Sequence, residues 1–178
     1  GDFSVVMTGK GNDSISATGS GNTFVYRVGD GSDTIAFTSG LTVENNVISF
    51  SDGISASDIS LVVTSMNGAD VLEIRTSNDA NNVIRLTGFS REDVYSYKGV
   101  TSLEFADGSV IGLSELFEGG FKYPATESAD SMMGTSLSDV MDGQGGNDTL
   151  LGLAGVDALS GGLGNDRLEG GEGDDRLV

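Results

Sequence analysis

GQGGNDTLL, GLAGVDALS, GGLGNDRLE and GGEGDDRLV, residues 143–178, are four nonapeptides in strict register. Their sixth residue is always Asp (Asp148, Asp157, Asp166, Asp175) and their eighth always Leu (Leu150, Leu159, Leu168, Leu177). The first and fourth are Gly in every unit. Upstream, ATESADSMM (Ala125–Met133) and GTSLSDVMD (Gly134–Asp142) keep the Asp at Asp130 and Asp139 and an apolar eighth residue at Met132 and Met141, but lose most of the glycines. The nine-residue period therefore runs for six units.

Nine residues are too few to fold alone, but they suit half a coil of a stacked parallel solenoid. The glycine-rich half is then a turn, and the three residues after the Asp a short strand with its central Leu inward. Two units close one coil, so residues eighteen apart stack: Asp148 over Asp166, Asp157 over Asp175. Stacked carboxylates repel unless a cation lies between them, and a hard dication with several oxygen ligands suits tight turns that point carbonyls inward. A flexible Gly/Asp linker has no reason to hold Asp and Leu in register.

These units resemble the RTX (repeats-in-toxin) nonapeptide GGxGxDxUx, which forms a calcium-binding parallel β-roll. The resemblance implies one Ca²⁺ among Gly143, Gly145, Asp148, Gly161, Gly162, Gly164 and Asp166, and another among Gly152, Gly155, Asp157, Gly170, Gly171, Gly173 and Asp175. It implies a third ion between Asp139 and Asp157, and a fourth between Asp130 and Asp148. Gln144 and Leu153 stand where the second Gly belongs, and Val156 where Asn is usual. These departures keep the carbonyls but strain the turns. Ordering a glycine backbone costs about 1–2 kcal/mol per residue, while one buried Leu per unit returns about 1.5–3 kcal/mol, so folding is expected to be coupled to metal binding.

The chain has 178 residues, a net charge of −18, and neither Cys nor His. The charge argues against nucleic acid and anionic membranes as partners. The absence of Cys and His removes disulfides, Ser-His-Asp and Cys-His nucleophilic sites and ordinary zinc sites. Residues 125–178 alone carry eleven acids against Arg167 and Arg176. With 37% hydrophobic residues the chain is nonetheless expected to fold. It opens in mid-pattern at Gly1-Asp2, as a fragment of a longer protein would.

Residues 4–36 read as a looser solenoid with a ten-residue period, SVVMTGKGND, SISATGSGNT, FVYRVGDGSD. Its expected inward residues are Val5, Ile15, Val25 and Ile35. Asp13 and Asp33 are two units apart, which places one further Ca²⁺ with Gly9, Gly11, Asp13, Gly29, Gly31 and Asp33. Thr23 takes the place of the ligand Asp on the opposite edge.

The middle, 37–124, has less glycine and more alternation. Strands are expected over Val43–Phe50, Ile59–Ser65, Val71–Thr76 and Asn82–Phe89. Asn67-Gly68 and Ala106-Asp107-Gly108 mark hairpin turns, and Ser114 is expected to cap one helical turn over Ser114–Glu118. "NNVISFSDGISASDISLVV", "NGADVLEIR", "NNVIRLTGF" and "VTSLEFADGSVI" together resemble the haemolysin-type calcium-binding-related segment found between RTX blocks. That implies a β-rich unit covering the open edges of rolls, with Phe50, Phe89, Tyr95, Tyr97, Phe105, Phe117, Phe121 and Tyr123 as core and cap contacts.

The sequence thus predicts an all-β chain: a short N-terminal β-roll at 1–36, a connecting or capping segment at 37–124, and a C-terminal β-roll at 125–178. No EF-hand, P-loop or catalytic constellation appears, and no catalytic residue is expected. The resemblance implies a secreted bacterial protein, exported unfolded by a type I secretion apparatus and folded by extracellular Ca²⁺, serving as scaffold of a toxin or adhesin with a receptor or glycan as possible partner. It leaves open the calcium-binding tail of a secreted enzyme (lipase, protease or alginate epimerase) and a calcium-dependent glycan-binding module. No direct membrane insertion is expected of this segment.

Overall fold

A computed structural model describes residues 4–37, 45–51 and 53–178. Among these the chain is all-β. In order the strands are β1 (Val5–Met7), β2 (Ser14–Ala17), β3 (Thr23–Tyr26), β4 (Ser32–Phe37), β5 (Val47–Phe50), β6 (Ile59–Met66), β7 (Ala69–Thr76), β8 (Asp79–Thr87), β9 (Ser102–Glu104) and β10 (Val110–Gly112). The helix α1 (Leu113–Glu118) follows. Then come β11 (Ser131–Met133), β12 (Val140–Asp142), β13 (Thr149–Ala154), β14 (Ala158–Ser160), β15 (Arg167–Glu172) and β16 (Arg176–Leu177). The chain forms two compact units, one of Gly1–Phe89 with Tyr95–Gly119, the other of Ser90–Val94 with Gly120–Val178. No helix among the described residues is long and apolar enough to cross a membrane.

The second unit is a parallel roll. Its two sheets are β11-β13-β15 and β12-β14-β16, each strand paired in parallel with the one eighteen residues on: Leu150 beside Leu168, Leu159 beside Leu177. The eighth-position residues Met132, Met141, Leu150 and Leu159 make one buried core, with Tyr123, Ala125 and Leu168 against it. Side chains in a strand alternate faces, so one apolar residue per three-residue strand suffices to line a narrow roll. At its upstream end, Ser136 N–H donates to the Arg91 carbonyl (2.7 Å) and Arg91 Nη1 to the Met133 carbonyl (2.9 Å).

The first unit begins as a roll and ends in hairpins. β1, β3, β5 and β9 pair in parallel, and β10 turns back antiparallel on β9. On the other side β2, β4 and β8 are parallel, and β7 and β6 continue antiparallel. The β6–β7 turn is Asn67-Gly68 with φ of 54° and 79°, the conformation that Asn-Gly favours in two-residue hairpins. Phe24, Ile35, Ile48, Phe50, Leu86 and Leu103 are buried, and Phe50 stacks on Phe105 at 5.5 Å between ring centroids.

Five expectations change here. Val5 is 67% exposed, and it is Val6, Phe24, Ile48 and Leu103 that line up on one inward row; Val5 and Val25 face outward. The coil of twenty residues is split nine and eleven, not ten and ten: Asp13 precedes β2, Asn22 precedes β3 and Asp33 sits in β4. A shift of one residue in a strand exchanges its two faces. The boundary expected at residue 36 falls inside β4, because β5, β8 and β9 of the middle extend the same two sheets. Ser114 is not the helix cap: α1 starts one residue earlier, capped by Gly112 without a side-chain bond, because Leu113 and Phe117, one turn apart, are the residues it buries. The strand expected from Val43 begins at Val47; Val43 and Glu44 lie outside the described residues.

Candidate metal centre

The edges of the second unit's roll are built from the sixth-position aspartates. Each Asp donates its N–H to Oδ1 of the Asp one coil on: Asp130 to Asp148 (2.9 Å), Asp139 to Asp157 (2.8 Å), Asp148 to Asp166 (2.9 Å) and Asp157 to Asp175 (3.0 Å). This ladder fixes one carboxylate oxygen and turns the other inward. Asp148 and Asp157 are each 2% exposed, and their Oδ2 atoms are buried without a hydrogen-bond partner. Leaving such an oxygen unsatisfied is costly, and burial pushes the Asp157 carboxyl up, with repulsion from Asp139 and Asp175 adding to the rise.

The first-position glycines show what shares that space. A Cβ at Gly143 would stand 2.6 Å from the Gly161 carbonyl oxygen and closer still to Asp148 Oδ2; one at Gly152 would overlap Asp157 Oδ2 and the Gly170 carbonyl oxygen. Carboxylate and carbonyl oxygens thus converge on a point that only glycine leaves open. Among the described residues no group of three or more Asp, Glu, His or Cys side chains is placed to hold a metal, so an ion here draws on main-chain oxygens. An all-oxygen set of mixed carboxylates and carbonyls fits calcium.

The second position sets the turn. Gly162 and Gly171 are left-handed (φ 88° and 105°), and so are Gln144 (66°) and Leu153 (81°), which replace glycine there. The fourth-position glycines are left-handed as well: Gly146 (126°), Gly155 (132°), Gly164 (138°) and Gly173 (137°). A Cβ at Gly164 would collide with the Gly146 carbonyl oxygen of the coil above. Gly146 is therefore a part of the turn that the expected ligand set omitted, although its period was visible. Gly145, at the third position, pairs with Leu163. Asp166 and Asp175 occupy the last coil, where their Oδ2 atoms face the Cα of Gly161 and Gly170.

Asp130 and Asp139 differ from the rest. Thr126 donates its N–H (2.6 Å) and hydroxyl (3.0 Å) to Asp130 Oδ2. Thr135 does the same to Asp139 Oδ2 (2.7 and 3.2 Å), and the Tyr123 hydroxyl donates to Asp139 Oδ1 (2.5 Å). The oxygen that stays open in Asp148 and Asp157 is closed in these two, so the third and fourth ions expected from the resemblance would find an open carboxylate oxygen on Asp157 and Asp148 only. The physical reason is the second-position residue: Thr, β-branched, avoids the left-handed region and turns its N–H and hydroxyl onto the carboxylate instead.

In the first unit Asp13 N–H donates to Asp33 Oδ1 (2.9 Å), and Gly9, Gly11, Gly29 and Gly31 are all left-handed. The opposite edge carries Asn22, not Thr23, at the ladder position. Asn22 N–H donates to Asn46 Oδ1 (2.8 Å), and its amide reaches the Thr18 (3.3 Å) and Gly19 (3.5 Å) carbonyls. An uncharged amide thus satisfies turn carbonyls itself.

Residues 125–159, 133–168 and 151–178 match the RTX calcium-binding nonapeptide repeat, in four copies. No curated protein matches the chain. The roll at 125–178 is an RTX calcium-binding module, and its repeats bind Ca²⁺.

Proposed function

We propose that the chain is a calcium-triggered folding module of a protein secreted by a bacterial type I system, acting as scaffold of a large toxin or adhesin and carrying no catalysis of its own. The observation that carries this reading is the pair of buried, unpartnered carboxylate oxygens on Asp148 and Asp157. Without a cation they oppose folding, and a roll whose core is one apolar residue per unit has little to set against them. Calcium removes that opposition, so the ordered state depends on the ion. A chain that stays extended at low intracellular calcium suits export through a narrow channel. Millimolar calcium outside suits the weaker class of calcium modules. The lack of His and Cys supports the non-catalytic part.

Far-UV circular dichroism during a Ca²⁺ titration, with Mg²⁺ as control and chelator reversal, tests it. The expected result is a cooperative gain of β signal with Ca²⁺ alone. Full β signal from residues 125–178 in chelator would remove the basis of the secretion switch.

A further inference from the structure

One sheet of the first unit ends on β6, which pairs with β7 alone among the described strands. It is eight residues long, while the other strands that end this unit's sheets, β1, β2 and β10, have three, four and three. An end strand offers a row of main-chain donors and acceptors, and proteins ordinarily blunt that row with Lys, Pro, a bulge or an inward charge. Residues 59–66, ISLVVTSM, contain neither charge nor proline, in a chain of net charge −18. Their pairing with β7 runs from Ile59–Thr76 to Met66–Ala69 without a bulge.

The turn fixes which groups lie open. With two residues in the loop, Met66 and Ala69 are the hydrogen-bonded pair that closes the hairpin, and every second residue back along β6 bonds to β7 in the same way. Asp58, on the same count, accepts from Ser77 N–H at 2.8 Å. Leu61, Val63 and Ser65 therefore direct both main-chain groups away from β7. Ile59 directs its carbonyl the same way, but its N–H bonds the Ala56 carbonyl in the 3₁₀ turn before the strand.

We propose that β6 is a dimerisation edge, which pairs antiparallel with β6 of a second copy about a two-fold axis at Val62. The strand is complementary to itself in that register, as an isologous interface requires. Leu61 lies opposite Val63 of the second copy, Ser60 opposite Thr64, and Val62 opposite its own counterpart, so apolar meets apolar and hydroxyl meets hydroxyl. Leu61 and Val63 exchange both main-chain bonds and Ser65 donates to the Ile59 carbonyl, about six bonds across the axis. Asp58 falls opposite Met66, so no carboxylate faces another across the strand pair. A shift of one residue sets open groups against groups already bonded to β7, and a shift of two loses the Leu61–Val63 and Val62–Val62 contacts. Two chains of charge −18 repel elsewhere. Association therefore strengthens with salt, which shortens the reach of that repulsion to about 8 Å at physiological ionic strength. The edge shares no residue with the C-terminal roll.

The test uses the full chain in saturating Ca²⁺. Sedimentation equilibrium reads the mass, and because the chain has no Cys, a single introduced thiol reports the register. At the axis the two Val62 residues form a pair with Cα atoms about 4.5 Å apart, within disulfide reach, whereas the two Met66 residues stand roughly 27 Å apart. The proposal expects a reversible dimer whose fraction rises with NaCl. It expects Val62→Cys to cross-link under mild oxidation and Met66→Cys not to. Val63→Pro removes an outward N–H and leaves the ladder to β7 intact; it should weaken the dimer about tenfold or more, since each copy loses a main-chain bond. If circular dichroism shows that Val63→Pro disturbs the hairpin, Ser65→Pro, at an exposed position of the same outward set, decides. A wild-type chain that is monomeric at every salt concentration overturns the edge. So does equal cross-linking through Val62→Cys and Met66→Cys, or a folded proline variant that dimerises as wild type does.

Discussion

Asp148 gives its N–H to Asp166 Oδ1 at 2.9 Å while its own Oδ2, buried, receives nothing. The two halves of that relationship do different work. The amide bond sets the spacing of successive coils, and the open oxygen creates the demand for a cation. Asp148→Asn preserves shape and removes charge. It should raise the calcium concentration at the folding midpoint by about tenfold or more, in line with the loss seen when metal-site groups are removed. Asp166→Asn should weaken folding in the same direction. Circular dichroism at graded Ca²⁺ measures both, and an unmoved midpoint would contradict the assignment.

Thr135 and Tyr123 hold Asp139 without a metal. Tyr123→Phe removes one donor from a buried carboxylate and should cost about 1.5–3 kcal/mol, the range for hydrogen bonds to charged groups. The loss should appear in denaturant unfolding at saturating Ca²⁺ with the number of bound ions unchanged. A drop in stoichiometry would instead make Asp139 a ligand.

Leu153 sits at φ 81° where the two units after it use glycine, Gly162 and Gly171. A non-glycine residue pays about 1–2 kcal/mol for that conformation, and the added freedom of glycine in the unfolded chain takes back about 0.5–1 kcal/mol. Leu153→Gly should therefore stabilise the calcium-loaded roll by some tenths to about 1 kcal/mol. Gln144→Gly should gain less, because the Gln144 amide also bonds the Ala125 carbonyl (3.1 Å). Thermal unfolding at saturating Ca²⁺ checks the order of the two.

Asn22 is 5% exposed, and its amide serves two carbonyls and Asn46 Oδ1. Asn22→Asp turns donors into acceptors facing acceptors and should destabilise the first unit by about 1–3 kcal/mol, the cost of unsatisfied buried polar groups. Equilibrium unfolding followed by the aromatic signal of the first unit reads this.

The roll was legible because its period is rigid. Asp at six and Leu at eight place every carboxylate on an edge and every Leu in the core, and the eighteen-residue stacking follows. What the sequence hid lay in single residues with two meanings. Thr126 and Thr135 read as lost glycines, yet they are donors to the carboxylates of Asp130 and Asp139. Asn22 read as part of a turn, with Thr23 in the ligand's place, because an even ten-residue period conceals a split of nine and eleven. The first roll read as a separate domain because glycine thins after residue 36, while hydrogen bonding across β5, β8 and β9 ignores composition. Ser114 looked like a cap by residue type, but burial of Leu113 and Phe117 set the helix start.

The central claim is that the second-position residue decides which aspartates hold calcium. Anomalous diffraction from crystals grown in Ca²⁺ tests it most directly. The account predicts peaks beside Asp148 and Asp157 and none beside Asp130 or Asp139. An ion on Asp139, or none on Asp148, would contradict it.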